Sequence, residues 1–165
     1  MFESLFSTAL GKAFTLLCIS ATPIIELRVA IPVGAAQGFP FLETFLLCVV
    51  GNMLPVPFII LFSRKIFDWL KTTRLFRRPT EWLEHRTLKK APTFYKYELL
   101  GLAILVAIPL PGTGAWTGAI LAALLDVRLQ RAIPAIFLGV VVAALIVSGM
   151  SYGFIEAISL FAPGA

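Results

Sequence analysis

Residues 23–32 read P-I-I-E-L-R-V-A-I-P, so a carboxylate, Glu26, and a guanidinium, Arg28, stand two positions apart inside a strongly apolar sequence. Within a membrane each such group costs about 2.5–3.5 kcal/mol at a helix centre, so ionisable residues there face a partner, a cavity or a substrate. On a helix, positions i and i+2 point to different faces, whereas in irregular backbone they share a side. Pro23 and Pro32 lack amide hydrogens and push the residues before them out of helical geometry. The stretch therefore predicts a broken helix carrying a paired Glu26 and Arg28.

Outward from this stretch, composition sets the class. Hydrophobic residues make up 59 % of the 165 and charged residues only 14 %, which describes an integral membrane protein rather than a soluble domain. The net charge of +5 sits mainly in one block between apolar spans, which suits a cytoplasmic loop near anionic lipid and not nucleic-acid binding. Cys18 and Cys48 lie in apolar segments and read as packing residues. The first residues place Glu3 ahead of a late Lys12, against the order of a signal peptide, so they are expected to stay in the mature protein. We read residues 1–165 as a single membrane domain.

Apolar sequence from Ala13 to Ile25 is too short for the roughly 20 residues that a spanning helix needs. After the charged pair, the small and Gly-rich residues 29–40 suit a second half-helix, and the two halves read as a re-entrant hairpin. Residues 41–63 can cross the bilayer, with a bend at N-M-L-P-V-P (52–57), where Asn52 either bonds freed backbone or touches substrate. Residues 64–98 hold ten Lys or Arg against four Asp or Glu. Ile66, Phe67, Trp69, Leu70, Leu75 and Phe76 recur there at helical spacing, predicting an interfacial helix that starts at Arg64 and ends by Pro79. A second short amphipathic piece around Trp82 carries the single His85 as a surface residue.

Residues 99–125 repeat the opening: an apolar half-span, then P-L-P-G-T-G-A-W (109–116), then an apolar return closed by Asp126, Arg128 and Arg131. Residues 132–154 form another full span. The fold expected is all-α, with two inverted repeats (1–63 and 99–165) of re-entrant hairpin plus one spanning helix. A basic amphipathic linker, 64–98, joins them. Under the positive-inside rule the linker and the 126–131 cluster are cytoplasmic and both termini outside. The rival, one kinked helix over 99–125, sends Arg128 and Arg131 outside.

Inverted repeats with discontinuous helices place sites at their breaks. Glu26 is the candidate proton or ion carrier, since separation from Arg28 favours its protonation; the alternative is a static pair holding the turn. In the second break Pro111, Gly112 and Gly114 leave backbone groups free, and the helix starting near Ala115 aims a positive dipole end into it. Thr113 and Thr117 offer hydroxyls to a ligand or to backbone, and Trp116 offers a stacking platform or an interfacial anchor. No G-K-[ST] follows, so this is no nucleotide P-loop. Nucleophile and base constellations, metal-ligand spacing and cofactor fingerprints are missing, which points away from an enzyme and from any cofactor.

The runs P-I-I-E-L-R-V-A-I-P, N-M-L-P-V-P and P-L-P-G-T-G-A-W-T-G-A resemble the small multi-drug export protein family of prokaryotic membrane proteins, over nearly the whole chain. That family is distantly similar to the DedA-like (SNARE-associated, VTT) superfamily, which implies two opposed re-entrant hairpins, lipid flipping and proton-dependent physiology. The resemblance matches Glu26 and Arg28 to the charged site of the first hairpin, and Pro111, Gly112 and Gly114 to the break of the second. The chain departs from the DedA pattern in lacking an arginine close to that break; the nearest, Arg128, lies downstream.

The function expected is proton- or ion-coupled transport of a small amphipathic compound, drug-like or lipid, in a prokaryotic inner membrane. The alternative is a non-transporting structural or interaction protein. A polar, water-accessible midplane supports transport and a dry, filled one supports packing. Expected partners are membrane lipids, the substrate, the coupling ion and a second copy, because one copy offers few walls for two breaks. Gly34, Gly38, Gly118, Ala122 and Ala123 are the small residues expected at that homodimer contact.

Overall fold

The computed structural model describes residues 9–23, 25–71, 91–110 and 112–161. Their regular elements are all helices: α1 (Ala9–Ala21), α2 (Glu26–Ala36), α3 (Phe41–Met53), α4 (Val56–Lys71), α5 (Ala91–Ala107), α6 (Ala115–Leu124) and α7 (Leu129–Phe161). The expected breaks are present, between α1 and α2 and between α5 and α6. Their extents differ from expectation. Helix resumes at Glu26 itself, and Pro32 lies inside α2, so Glu26 and Arg28 occupy a first helical turn rather than irregular backbone. Proline is tolerated there because α2 is short and packed on three helices, α1, α3 and α7. Glu26 carries the cost of the sharp restart, with a φ of 50° in the left-handed region.

The two halves use the same local closures at a fixed spacing. After α2, Phe39 N–H donates to Gly34 and Gly38 N–H to Ala35; after α6, Val127 N–H donates to Ala122 and Asp126 N–H to Ala123. Both are left-handed C-terminal caps, with φ of 78° at Gly38 and 53° at Asp126. These two residues are 88 positions apart, and Gly51 and Gly139 keep the same separation. A Cβ on Gly51 would stand 2.7 Å from the Leu17 carbonyl, and one on Gly139 would stand 2.6 Å from the Ala103 carbonyl. Those glycines let α3 lie against α1 and α7 against α5. Across the halves, α2 packs on α7 and α6 packs on α4, while α3 meets α7.

Two contacts mark the ends of the molecule. Arg64 Nη2 donates to the Val127 carbonyl, bringing the start of the basic block to the 126–131 cluster. Tyr152 Oη reaches the Phe39 carbonyl and Thr44 Oγ1, both 2.8 Å away. Residues 129 and 152 are separated by about 35 Å of helical rise along α7, so α2 and α6 run from neighbouring breaks to opposite ends of that helix.

The inside is small and the outside large. α7 buries Ala132, Ala135, Val140, Ala143 and Ala144, while Leu138, Leu145, Met150 and Phe154 are exposed. Leu42, Leu46, Val50 and Leu54 form an exposed stripe at i, i+4 spacing along α3. In water such a surface is a liability, and in lipid it is the expected exterior. Phe41–Trp69 and Leu129–Glu156 are long and apolar enough to cross a membrane, whereas Leu10–Ala21, Tyr97–Ala107 and Ala115–Leu124 are not.

Three expectations need correction or placing. No proline or glycine separates Phe58 from Lys71, so Ile66, Phe67 and Trp69 continue α4 instead of beginning a separate interfacial helix at Arg64. Leu75, Phe76, Pro79, Trp82 and His85 lie outside the described residues, as does the side chain of Leu70. Helix α5 already starts at Ala91, with Pro92 in its first turn where a missing amide costs nothing. Four of the five small residues assigned to a dimer contact pack inside one chain: Gly34 against Thr44, Gly118 against Val106, and Ala122 and Ala123 in the core.

Gly139→Val should cost about 1–3 kcal/mol by forcing α7 from α5, whereas Gly149→Ala, with nothing within 4 Å of the added carbon, should leave stability unchanged or slightly raised. Thermal unfolding of both variants in mild detergent checks the contrast.

Candidate functional site

Helix α6 is preceded at its N-cap by Gly114, which has no side chain to cap the free amides of the first turn. The missing acceptor comes from the other half of the chain. Glu26, only 4 % exposed, lays its carboxylate over Gly114. Its Oε1 accepts the Trp116 N–H at 3.3 Å, with the Ala115 amide alongside. A carboxylate at a helix N-terminus gains from both the amides and the helix dipole. Gly114 is required because a Cβ there would overlap the Glu26 carboxylate.

Traffic in the opposite sense closes the remaining helix ends. Arg28 Nη2 donates to the Ile108 carbonyl and to Thr113 Oγ1, each at 3.1 Å. Trp116 Nε1 donates to the Ala21 carbonyl, at the last residue of α1, at 3.1 Å. Arg28 and Trp116 are themselves 88 positions apart, and each donates to a carbonyl where a helix beside the other break stops.

Glu26 and Arg28 stand together as expected, though not as an isolated pair. Their charges interact, but both side chains direct their hydrogen bonds to the second break. Thr113 accepts from Arg28 and lies within donating distance of Ile108 O (2.8 Å) and Leu110 O (2.9 Å). The Thr117 hydroxyl is taken up by the Gly112 carbonyl at 2.7 Å. Trp116 is a cross-link between breaks rather than a free platform. Pro111 lies outside the described residues. Asp126, Arg128 and Arg131 stand at the Val127 end, away from the breaks, with the Arg128 carbonyl accepting the first amides of α7.

Asn52 joins the site from the end of α3. It is 1 % exposed, and neither Oδ1 nor Nδ2 has a hydrogen-bond partner; Arg28 Nε, also buried, has none. All three atoms belong to residues lining one pocket with Glu26, Gly114 and Ala115, its other walls being apolar. The space is narrower than a water molecule. Unpaired polar groups in such a setting cost about 1–3 kcal/mol each, so an unoccupied Asn52 is a conspicuous feature. Sequence reasoning missed the Ala21 and Ile108 carbonyls as anchors, although a Gly-started helix without Ser, Thr or Asp at its head signals a cap supplied from elsewhere.

Residues 26–146, from Glu26 at the edge of the first break through the second break and into α7, match the model of the family described as "Putative small multi-drug export protein". The chain belongs to that family. No curated protein and no solved structure matches it. In this small multi-drug export family member, the matched region holds every residue of the crossed hydrogen bonds except Ala21.

Gly114→Ala should be costly alone and nearly neutral in a Glu26→Ala background, because the clash needs both side chains. A double-mutant cycle in detergent should give a coupling of at least about 1 kcal/mol. Additive effects would place the carboxylate elsewhere.

Proposed function

We propose that this membrane protein moves a small amphipathic compound through the junction of its two breaks, coupled to protons at Glu26. The observation that carries this reading is the buried Glu26 carboxylate acting as the cap of α6. Protonation removes the charge that holds the α6 amides, weakens the tie between breaks, and so converts a proton into relative movement of two half-helices. The remaining ties, from Arg28 to the Ile108 carbonyl and the Thr113 hydroxyl and from Trp116 to the Ala21 carbonyl, are hydrogen bonds worth about 1–3 kcal/mol each, within reach of a binding event.

The architecture behind the proposal is a pair of inverted re-entrant hairpins. Neighbouring breaks, exits at opposite ends of α7, shared closures 88 residues apart and the Arg64–Val127 contact all support it. That contact also favours the linker and the 126–131 cluster on one side, in the cytoplasm by their charge, over the kinked-helix alternative. The resemblance to DedA-like proteins and the family's description as an exporter favour an amphipathic cargo.

A second reading has its own support. The pocket is too narrow for water, as a static lock requires, and under this reading the breaks only pack. Transport measured against pH in proteoliposomes separates the two. Glu26→Gln, which keeps size and polarity, should abolish the pH dependence while the protein stays folded; a pH dependence equal to wild type contradicts proton coupling at this residue. Arg28→Ala should cost more in stability, about 3–5 kcal/mol while Glu26 stays ionised, since it strands a buried carboxylate. Single-cysteine labelling without Cys18 and Cys48 should find position 128 cytoplasmic; labelling from outside contradicts the hairpins.

A further inference from the structure

The pocket beneath Glu26 has the chemistry of an anion site whose present occupant is the protein's own side chain. The carboxylate rests on the α6 N-terminus, accepts the Trp116 amide, and lies beside Arg28. Arg28 and Asn52 line the same pocket, the Arg28 Nε–H and the Asn52 amide have no partner, and Asn52 is almost wholly buried. From α5 and α7 the neighbours are apolar: Val106, Val140 and Ala143. Arg28 is thus the one titratable group facing Glu26 among the described residues. Every polar group aimed at the carboxylate is a donor or a positive end, apart from the Asn52 oxygen, which leaves nothing to hold a cation.

We infer that the transported compound carries a carboxylate, which takes the place of the Glu26 carboxylate on the α6 N-terminus, Arg28 and Asn52 when Glu26 is protonated and swings aside. This rests on the transporter reading above and names its substrate class. Charge decides the coupling. With Glu26 ionised the pocket is neutral; with Glu26 protonated, Arg28 and the helix end stand uncompensated in a low-dielectric interior until an anion enters. One proton and one singly charged anion therefore bind together. A phosphate dianion would overcharge a site that holds one guanidinium, and a quaternary ammonium would stand against the Arg28 charge and the positive end of α6. Asn52, whose amide lacks a partner while Glu26 is in place, gains one from the second oxygen of the incoming group.

The full chain in phospholipid nanodiscs, titrated calorimetrically with octanoate, octyl phosphate and octyltrimethylammonium against empty nanodiscs, tests this. Octanoate should bind best, with uptake of one proton read from buffers of different ionisation enthalpy. Its affinity should fall about tenfold per pH unit wherever the empty site keeps Glu26 ionised. Glu26→Gln should bind octanoate at least tenfold more tightly and independently of pH; Asn52→Ala should weaken binding several-fold with proton uptake unchanged. If Glu26→Gln does not fold, proton uptake by the wild type still decides. Octanoate binding without proton uptake, or octyl phosphate bound more tightly, overturns the inference. Glu26-dependent binding of octyltrimethylammonium overturns it while leaving the transporter reading in place. No binding by any probe, together with pH-independent transport, removes both.

Discussion

A helix that stops in an apolar interior leaves amides or carbonyls unpaired, and among the described residues α1, α2, α5 and α6 begin or end at the two breaks. The answer is exchange. Glu26 of the first break caps the amides of α6, Arg28 of the same turn closes the Ile108 carbonyl after α5, and Trp116 of the second break closes the Ala21 carbonyl of α1. Neither break is complete alone. The sequence spacing of 88 residues that relates Arg28 to Trp116 also relates Gly38 to Asp126 and Gly51 to Gly139. The two breaks are thus joined where each supplies what the other lacks.

Close approach of the surrounding helices makes that exchange possible. Gly51 and Gly139 bring backbones into contact, and alanines line the inner face of α7, so α2 and α6 reach one another across a narrow interior. Bulk is placed outside, where lipid and not water is its partner. The narrowness fits a site filled by its own carboxylate: the occupant, the glycine beneath it and the unpartnered Asn52 are one arrangement. Removing the negative charge of Glu26 would change the tie between halves and the electrostatics of the pocket together, which is the basis of the proposed link between proton binding and movement.

Much of this was legible in the sequence. Charged residues in an apolar run, prolines beside them and a recurrence of break and return identified the membrane class, both breaks and Glu26, Arg28, Asn52, Gly114 and Trp116 as the residues of interest. What escaped it was pairing. Pro32 read as a helix breaker because local rules cannot see α1, α3 and α7 supporting α2 around it. Glu26 and Arg28 were legible as neighbours because they are close in sequence, whereas the 90 residues between Glu26 and Trp116 hide a contact. Small residues such as Gly118 and Ala122 signalled close packing correctly, yet nothing local distinguishes packing within a chain from packing between copies.

The central claim is that an ionised Glu26 holds the two breaks together. Trp116 reports on both sides of that tie, its backbone amide facing Glu26 and its indole N–H facing Ala21. Nitrogen-15 NMR of Trp116 in bilayer nanodiscs across a pH titration tests the claim most directly. The amide and indole resonances should shift together with one apparent midpoint, and both should lose their pH dependence in Glu26→Gln. An amide and indole that stay fixed across the range, or shift equally in Glu26→Gln, would contradict it.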